Sequence, residues 1–311
     1  MPGREGEASV ATGMKRMAVV TPSYGPDSEL CRDLNRSVLR WTPEDVRHHI
    51  IVPRQDLPIF RMLANDRTII HDDREFLPST IRRLPLLNMW INTKRPWHPV
   101  RGWITQQLIK LAAAAALDTD AVLLMDSDMV LVAPTDLASF LHDGTLELYR
   151  QPGAVHAGLP RHRQWLKSSH GLLGLDEPGP EDLTDYICWP CVWDRETVRS
   201  LLRRVEDVQH VPWQTAAASQ LHFSEMMLYG AYVDGVLGGS PATTSSMNSV
   251  AYSAEAPLDL DEIRALLRGA GAVQSVMISA KSGISYDVRA QALQEFADFV
   301  SGSDSKAGGA G

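Results

Sequence analysis

Cysteine is scarce in this sequence, with three in 311 residues: Cys31, Cys188 and Cys191. So few thiols exclude a secreted disulfide scaffold and fit a reducing cytoplasm. Positive charge is also short, because 30 Lys and Arg stand against 38 Asp and Glu for a formal net charge of −8. Nucleic-acid backbones and anionic membranes call for clustered basic residues, so neither is expected as the main partner. A small phosphorylated ligand stays open, since a few local cations and a metal suffice to hold one. Long apolar runs are missing as well: residues 108–117 are interrupted by Lys110 and fall far short of the ~20 residues needed to cross a bilayer. No membrane segment is expected. The opening MPGREGEASVATGMKRM has no apolar stretch of the kind that marks a secretory signal. It reads as a loose tail over 1–16, and the Gly/Ser-rich SGSDSKAGGAG reads as a second over 301–311.

What remains is rich enough to fold. At 44% hydrophobic content, a chain of this size can bury one large core or two modest ones. Met17-Ala-Val-Val-Thr21 is a short apolar run stopped by Pro22, Gly25 and Pro26, the pattern of a buried strand entering a loop. A helix over 28–41 follows, with Asp27 or Ser28 as its cap. Strands are expected at 49–52 and 68–70, separated by a helix from Pro58. This alternation predicts a parallel sheet, whose ligand crevice lies beyond the carboxyl ends of the strands. Residues 103–117 form a further helix with Ile104, Leu108, Leu111 and Ala115 as its apolar stripe. Gln107 and Lys110 lie off that stripe, where solvation of the lysine is the simplest expectation. Helices are expected over 134–141, 212–232, 260–267 and 288–300, and a strand over 273–278.

The run VLLMDSDMVLV at 122–132 places Asp126 and Asp128 between apolar residues. Ionised Asp is seldom buried unless it is paired or bound to a metal. The Asp-x-Asp pattern alone means little, since Asp118-Thr-Asp120 and Asp259-Leu-Asp261 repeat it in polar surroundings that suit turns and helix caps. If 122–132 is one strand, residues two apart point the same way, so Asp126 and Asp128 converge. Converging carboxylates repel unless a cation joins them. A hard ion, Mn²⁺ or Mg²⁺, fits oxygen ligands and leaves positions for phosphate oxygens. The plainer alternative is a solvated pair at a strand end.

With its first strand ending in Thr21-Pro-Ser-Tyr-Gly-Pro-Asp27, its βα units and its MDSDMVLV strand, the chain resembles the nucleotide-diphospho-sugar glycosyltransferases of the GT-A fold. WITQQLIKLAAA and FSEMMLYGAYV resemble, more narrowly, a bacterial group of predicted glycosyltransferases. The resemblance implies a Rossmann-like three-layer α/β/α domain over 17–300 with a mostly parallel central sheet. Its nucleotide-sugar half would be 17–133 and its acceptor half 134–300. It implies Asp126 and Asp128 as metal ligands, and Thr21, Pro22, Tyr24, Asp56 and Ser127 around the nucleotide. Asp56 is equally a plain turn residue. Gln107, Lys110 and Lys281 would face the donor sugar or phosphates, and Trp189 and His222 the acceptor, a small molecule. Glu225, behind Ser224 at a helix start, would be the base of an inverting transfer; an acid there is also a routine dipole partner. The resemblance implies a third metal ligand, often His, from the C-terminal region, but His222 is the last histidine.

Two other classes compete. MDSDMV matches the signature of haloacid-dehalogenase-like phosphatases, with Asp126 as nucleophile. That signature sits on an early strand and needs a downstream Lys and an acidic pair after an apolar strand, whereas three expected strands precede it here and Glu181-Asp182 follows Pro178-Gly-Pro180. A non-catalytic nucleotide-sugar-binding protein would keep the same motif. Cys188-Trp-Pro-Cys191 lacks both a helix start for redox activation and a second pair for zinc. Its cysteines are expected to be buried beside Trp189 and Trp193.

Overall fold

The computed structural model describes residues 16–84, 89–94, 99–179, 183–271 and 273–307. Strand β1 (Met17–Pro22) is buried along its whole length, as its uninterrupted apolar run requires. Helix α1 (Ser28–Trp41) buries Cys31, Leu34, Asn35 and Val38 along one stripe. Strands β2 (Arg47–Val52) and β3 (Thr68–Asp72) follow, and β1, β2 and β3 pair in parallel. Three short strands, β4 (Ile81–Leu84), β5 (Met89–Asn92) and β6 (Pro99–Val100), form a separate antiparallel sheet with no counterpart in the sequence reading. Helix α2 (Gly102–Ala116) then leads to β7 (Ala121–Leu124), which pairs in parallel with β1 on the side away from β2.

The expected strand over 122–132 is broken. After β7 the backbone turns, with the Met129 N–H donating to the Asp126 carbonyl at 3.0 Å. Strand β8 (Met129–Leu131) leaves the central sheet altogether. Two carboxylates cannot continue a fully buried strand without partners, so the chain leaves the sheet where they occur. The alternation that would aim both acids the same way is therefore lost, and each finds its own partners.

Helix α3 (Pro160–Leu173) was not legible in the sequence. Strand β9 (Cys191–Asp194) adds antiparallel to β7, giving the central order β3-β2-β1-β7-β9, mainly parallel. The fold is thus mixed α/β. The Asp194 carboxylate caps α4 (Arg195–Gln209) by accepting from the Thr197 N–H at 2.6 Å. The helix expected over 212–232 is two, α5 (Trp213–Ala218) and α6 (Glu225–Gly235). Only a 3-10 turn, Leu137–Phe140, replaces the helix expected over 134–141. Strand β10 (Ser249–Tyr252), helix α7 (Leu260–Gly269), strand β11 (Ser275–Ile278) and helix α8 (Tyr286–Ala307) complete the described chain. Helix α8 continues past residue 300, where a tail was expected; 1–15 and 308–311 lie outside the described residues.

Strand β8 pairs antiparallel with β11, and β11 pairs in parallel with β10. Val130 and Val132 pack there with Ile263, Leu267 and Phe296 in a core of their own, apart from the larger one beneath β1 and β7. The 126–128 turn is thus the joint between two sheets. Among the described residues no helix is long and apolar enough to cross a membrane.

Candidate functional site

Strand β1 has β2 on one side and β7 on the other, so the chain order reverses between β1 and β7. In open α/β sheets the crevice outside the carboxyl ends at such a reversal is where ligands bind. Two loops meet there, 21–27 after β1 and 125–128 after β7. The Ser127 hydroxyl donates to the Ser23 hydroxyl at 2.8 Å, tying one to the other.

The first loop is held from below. Asp56, after β2, is buried and accepts from the Gly25 N–H at 2.9 Å. A Cβ at Gly25 would stand 3.2 Å from the Asp56 carboxylate, which is why glycine fits here. Thr21 is sealed from solvent and bonded to His48 Nε2 at 2.9 Å, while Asn35 Nδ2 reaches His48 Nδ1 at 3.0 Å and Thr68 Oγ1 at 2.8 Å. Burial, with His49 next to it, lowers the His48 pKa to about 3, so the ring is neutral. An amide nitrogen can only donate, so Nδ1 accepts and Nε2–H donates to Thr21. Thr21 and Asp56 thus shape the loop from inside, whereas Tyr24 stands exposed on the crevice.

Asp126 and Asp128 differ in their surroundings. Asp126 Oδ1 lies 2.7 Å from Lys110 Nζ, and the same ammonium lies 3.1 Å from Glu225 Oε1. Gln107, one turn earlier on α2, accepts the Glu225 N–H at 2.9 Å. The expectation of a solvated Lys110 fails, because α2 is covered on its polar side by the start of α6. Gln107 is 2% exposed, Lys110 6% and Glu225 4%. Burial alone works to discharge Lys110, but the two carboxylates outweigh it and hold the ammonium charged. Ser224 caps α6, accepting from the Met227 N–H at 3.3 Å, as its position implied.

Asp128 is bound to the C-terminal part of the chain. Its Oδ2 accepts from the Ala280 N–H at 3.0 Å, and its carbonyl accepts from the Ile278 N–H and from Arg289 Nη2, each at 3.1 Å. Burial and the Asp126 charge raise its pKa, against the Ala280 N–H and Arg289. Asp27 is pushed up to about 6 by burial and by the charges of Asp128 and Asp126. It is a third carboxyl of the site that the sequence reading treated only as a helix cap. Arg289, 3% exposed, was missed as well, for nothing local on α8 marks it.

The remaining candidates are scattered. Lys281 is exposed beside Ala280, in the loop that reaches Asp128 through its backbone. His222 is exposed just before α6, and Trp189 is half-buried against the main core. Cys188 and Cys191 are buried free thiols, as expected, and Trp193 is wholly core.

Among the described residues no three His, Cys, Asp or Glu side chains converge as a closed metal cage. The donors present suit a different arrangement. Asp126 and Asp128 each commit one oxygen to a protein donor, and a carboxylate can accept further bonds. Mg²⁺ and Mn²⁺ are held by one or two carboxylates together with water and phosphate oxygens, so by donor type these carboxylates suit such an ion and not a structural zinc.

These features define an α/β protein with an acid-lined crevice at the reversal of its parallel sheet. Residues 18–242 match the profile of a family of unknown function (DUF6492), and the chain belongs to that family. The match spans both crevice loops, Lys110 and Glu225, and ends before the β11 and α8 residues that hold Asp128. Comparison with curated proteins gives no match.

Proposed function

We propose that this protein is a metal-dependent glycosyltransferase of the three-layer GT-A type, moving a sugar from a nucleoside-diphosphate sugar to a hydroxyl of a small-molecule acceptor in the cytoplasm. One observation carries the reading: the Asp126-Ser-Asp128 turn stands at the carboxyl end of β7, joined through Ser127 to the loop after β1, across the sheet's reversal point. Asp126 and Asp128 hold Mn²⁺ or Mg²⁺, which supplies charge neutralisation for the departing diphosphate. Pro22, Tyr24 and Ser127 border the nucleoside, and Thr21 and Asp56 fix the loop that presents them. Lys281 reaches toward the phosphates from the loop after β11.

In this reading transfer is inverting and Glu225 takes the proton of the attacking hydroxyl. Lys110 and Gln107 orient Glu225, and Trp189 and His222 lie on the acceptor side. A phosphatase using Asp126 as nucleophile has less support. Its signature sits on an early strand, whereas β7 follows β1, β2 and β3 in the chain; Glu181-Asp182 lies outside the described residues.

The test is thermal stabilisation by UDP, GDP, dTDP and their sugars, with and without Mn²⁺. Stabilisation by one nucleotide that needs the metal is expected. Indifference to every nucleotide overturns the reading, and hydrolysis of generic phosphomonoesters turns it toward the phosphatase.

A further inference from the structure

The carboxyl ends of β2 and β3 open into a second cleft, of about 620 Å³, roofed by the antiparallel β4–β5 pair. Leu77, Ile81 and Trp90 supply its apolar lining, and Arg54, Arg74, Arg82 and Arg83 its charge. Four guanidinium groups around one cleft reverse the local charge of a chain whose formal net charge is −8. Structural pairing leaves donors on Arg54 and Arg82. The closest ion-pair contact of Arg54 is Asp72 at 4.0 Å, with the arginine side chain 67% exposed, and Arg82 gives Nε to the Ser79 carbonyl at 2.7 Å. Each guanidinium carries five donors in a fixed fork.

The acid among the lining residues opposes this charge only in part. Asp73 is 4% exposed. Its carboxyl is pushed up to about 7 by burial and by its hydrogen bond and charge interaction with Asp72, against the pull of Arg74 and Arg83.

We propose that this cleft is a binding site for a small ligand bearing two or more phosphate or carboxylate groups, with an apolar or sugar face that lies on Trp90. Planar guanidinium forks match carboxylate and phosphate oxygens in pairs, and an indole face suits a flat or sugar ring. The site is separate from the crevice at the reversal point. Its lining shares no residue with that crevice, although β2 borders β1 and Arg54 lies two residues before Asp56, which holds the first loop. The proposal therefore goes beyond the transferase reading and does not depend on it.

Calorimetric titration of the full chain at low salt with inorganic tripolyphosphate, and separately with citrate, tests the site. One of the two binds, more weakly as NaCl rises, and which of them binds tighter assigns phosphate or carboxylate. The double variant Arg54→Gln/Arg82→Gln, altered at two exposed positions, weakens binding by about tenfold or more, as loss of two charge-assisted bonds requires. Arg203→Gln, exposed and outside the cleft, leaves it unchanged. Equal binding by the double variant, or no binding of either anion by the folded protein, overturns the proposal. An equally large loss in Lys281→Gln also overturns it by moving the anion to the first crevice. Failure of the nucleotide test alone would leave these results intact.

Discussion

Strand β7 has an Asp-x-Asp at each end, Asp118-Thr119-Asp120 before it and Asp126-Ser127-Asp128 after it. At the amino end the charges are met by surface cations: Asp118 pairs with Arg16 at 2.9 Å and with Arg195 at 3.7 Å, and Asp120 accepts the Arg16 N–H at 2.9 Å. The Arg16 hydrogen bond and charge hold Asp118 below the usual carboxylate range. At the carboxyl end, burial and mutual repulsion push Asp128 and Asp27 the other way, and a buried ammonium is spent on Asp126. Identical letters, one strand apart, therefore do opposite things. The strand's direction decides, because only its carboxyl end faces the crevice. A third copy makes the same point, for Asp259 caps α7 in a reciprocal box with Glu262.

The largest break in this contrast comes from Lys110→Met, which strands the buried Glu225 carboxylate and takes the cation from the half-exposed Asp126. Urea unfolding should show a loss of about 3–5 kcal/mol, the usual cost of removing one partner of a buried pair. Adding Glu225→Gln should recover part of it, since the more deeply buried charge is then gone. A loss within experimental error would mean that the carboxyl end is no more burdened than the amino end.

Next in size is ligand response. Asp128→Asn should abolish metal-dependent stabilisation by nucleotide, while Asp120→Asn keeps it in full. Equal behaviour of the two variants would erase the distinction between the strand ends. Glu225→Gln should lower turnover sharply and, by leaving Lys110 to Asp126 alone, weaken that stabilisation only in part.

The pH dependence has opposite signs at the two ends. Asp27 is raised from 3.8 to about 6 in the folded state, so without metal it erodes stability as pH climbs across that window. Asp27→Asn should gain melting temperature over the wild type at pH 8 and lose the advantage near pH 4. Asp118 is depressed, so its contribution is present at neutral pH and fades as pH falls through its folded value. Asp118→Asn should therefore cost a little at pH 7 and nothing at pH 2. This is the smallest effect, and salt should screen it away.

Much of the sheet was legible because its signals are local. The apolar runs of β1, β2 and β3, the stripe of α1, the body of α2 and the Ser224 cap need only neighbouring residues to be recognised. The break after β7 was not, since VLLMDSDMVLV reads as one strand until its second half is seen pairing with β11. The burial of Lys110 depends on Glu225, 115 residues away, and the hold on Asp128 on Ala280 and Arg289, 152 and 161 residues away. No window along the sequence spans those distances. The arginine cleft is hidden for the same reason, as its residues come from the ends of two strands and a separate small sheet.

The single ammonium of Lys110 serves two masters in distant parts of the chain. A cation settling on Asp126 competes with Lys110 and turns it toward Glu225. Coupling of this kind is reciprocal, so whatever tightens the hold of Lys110 on Glu225 favours that cation by the same factor. In the transfer proposed above, the donor side and the acceptor side then share one binding equilibrium, and occupancy of either is felt as affinity at the other.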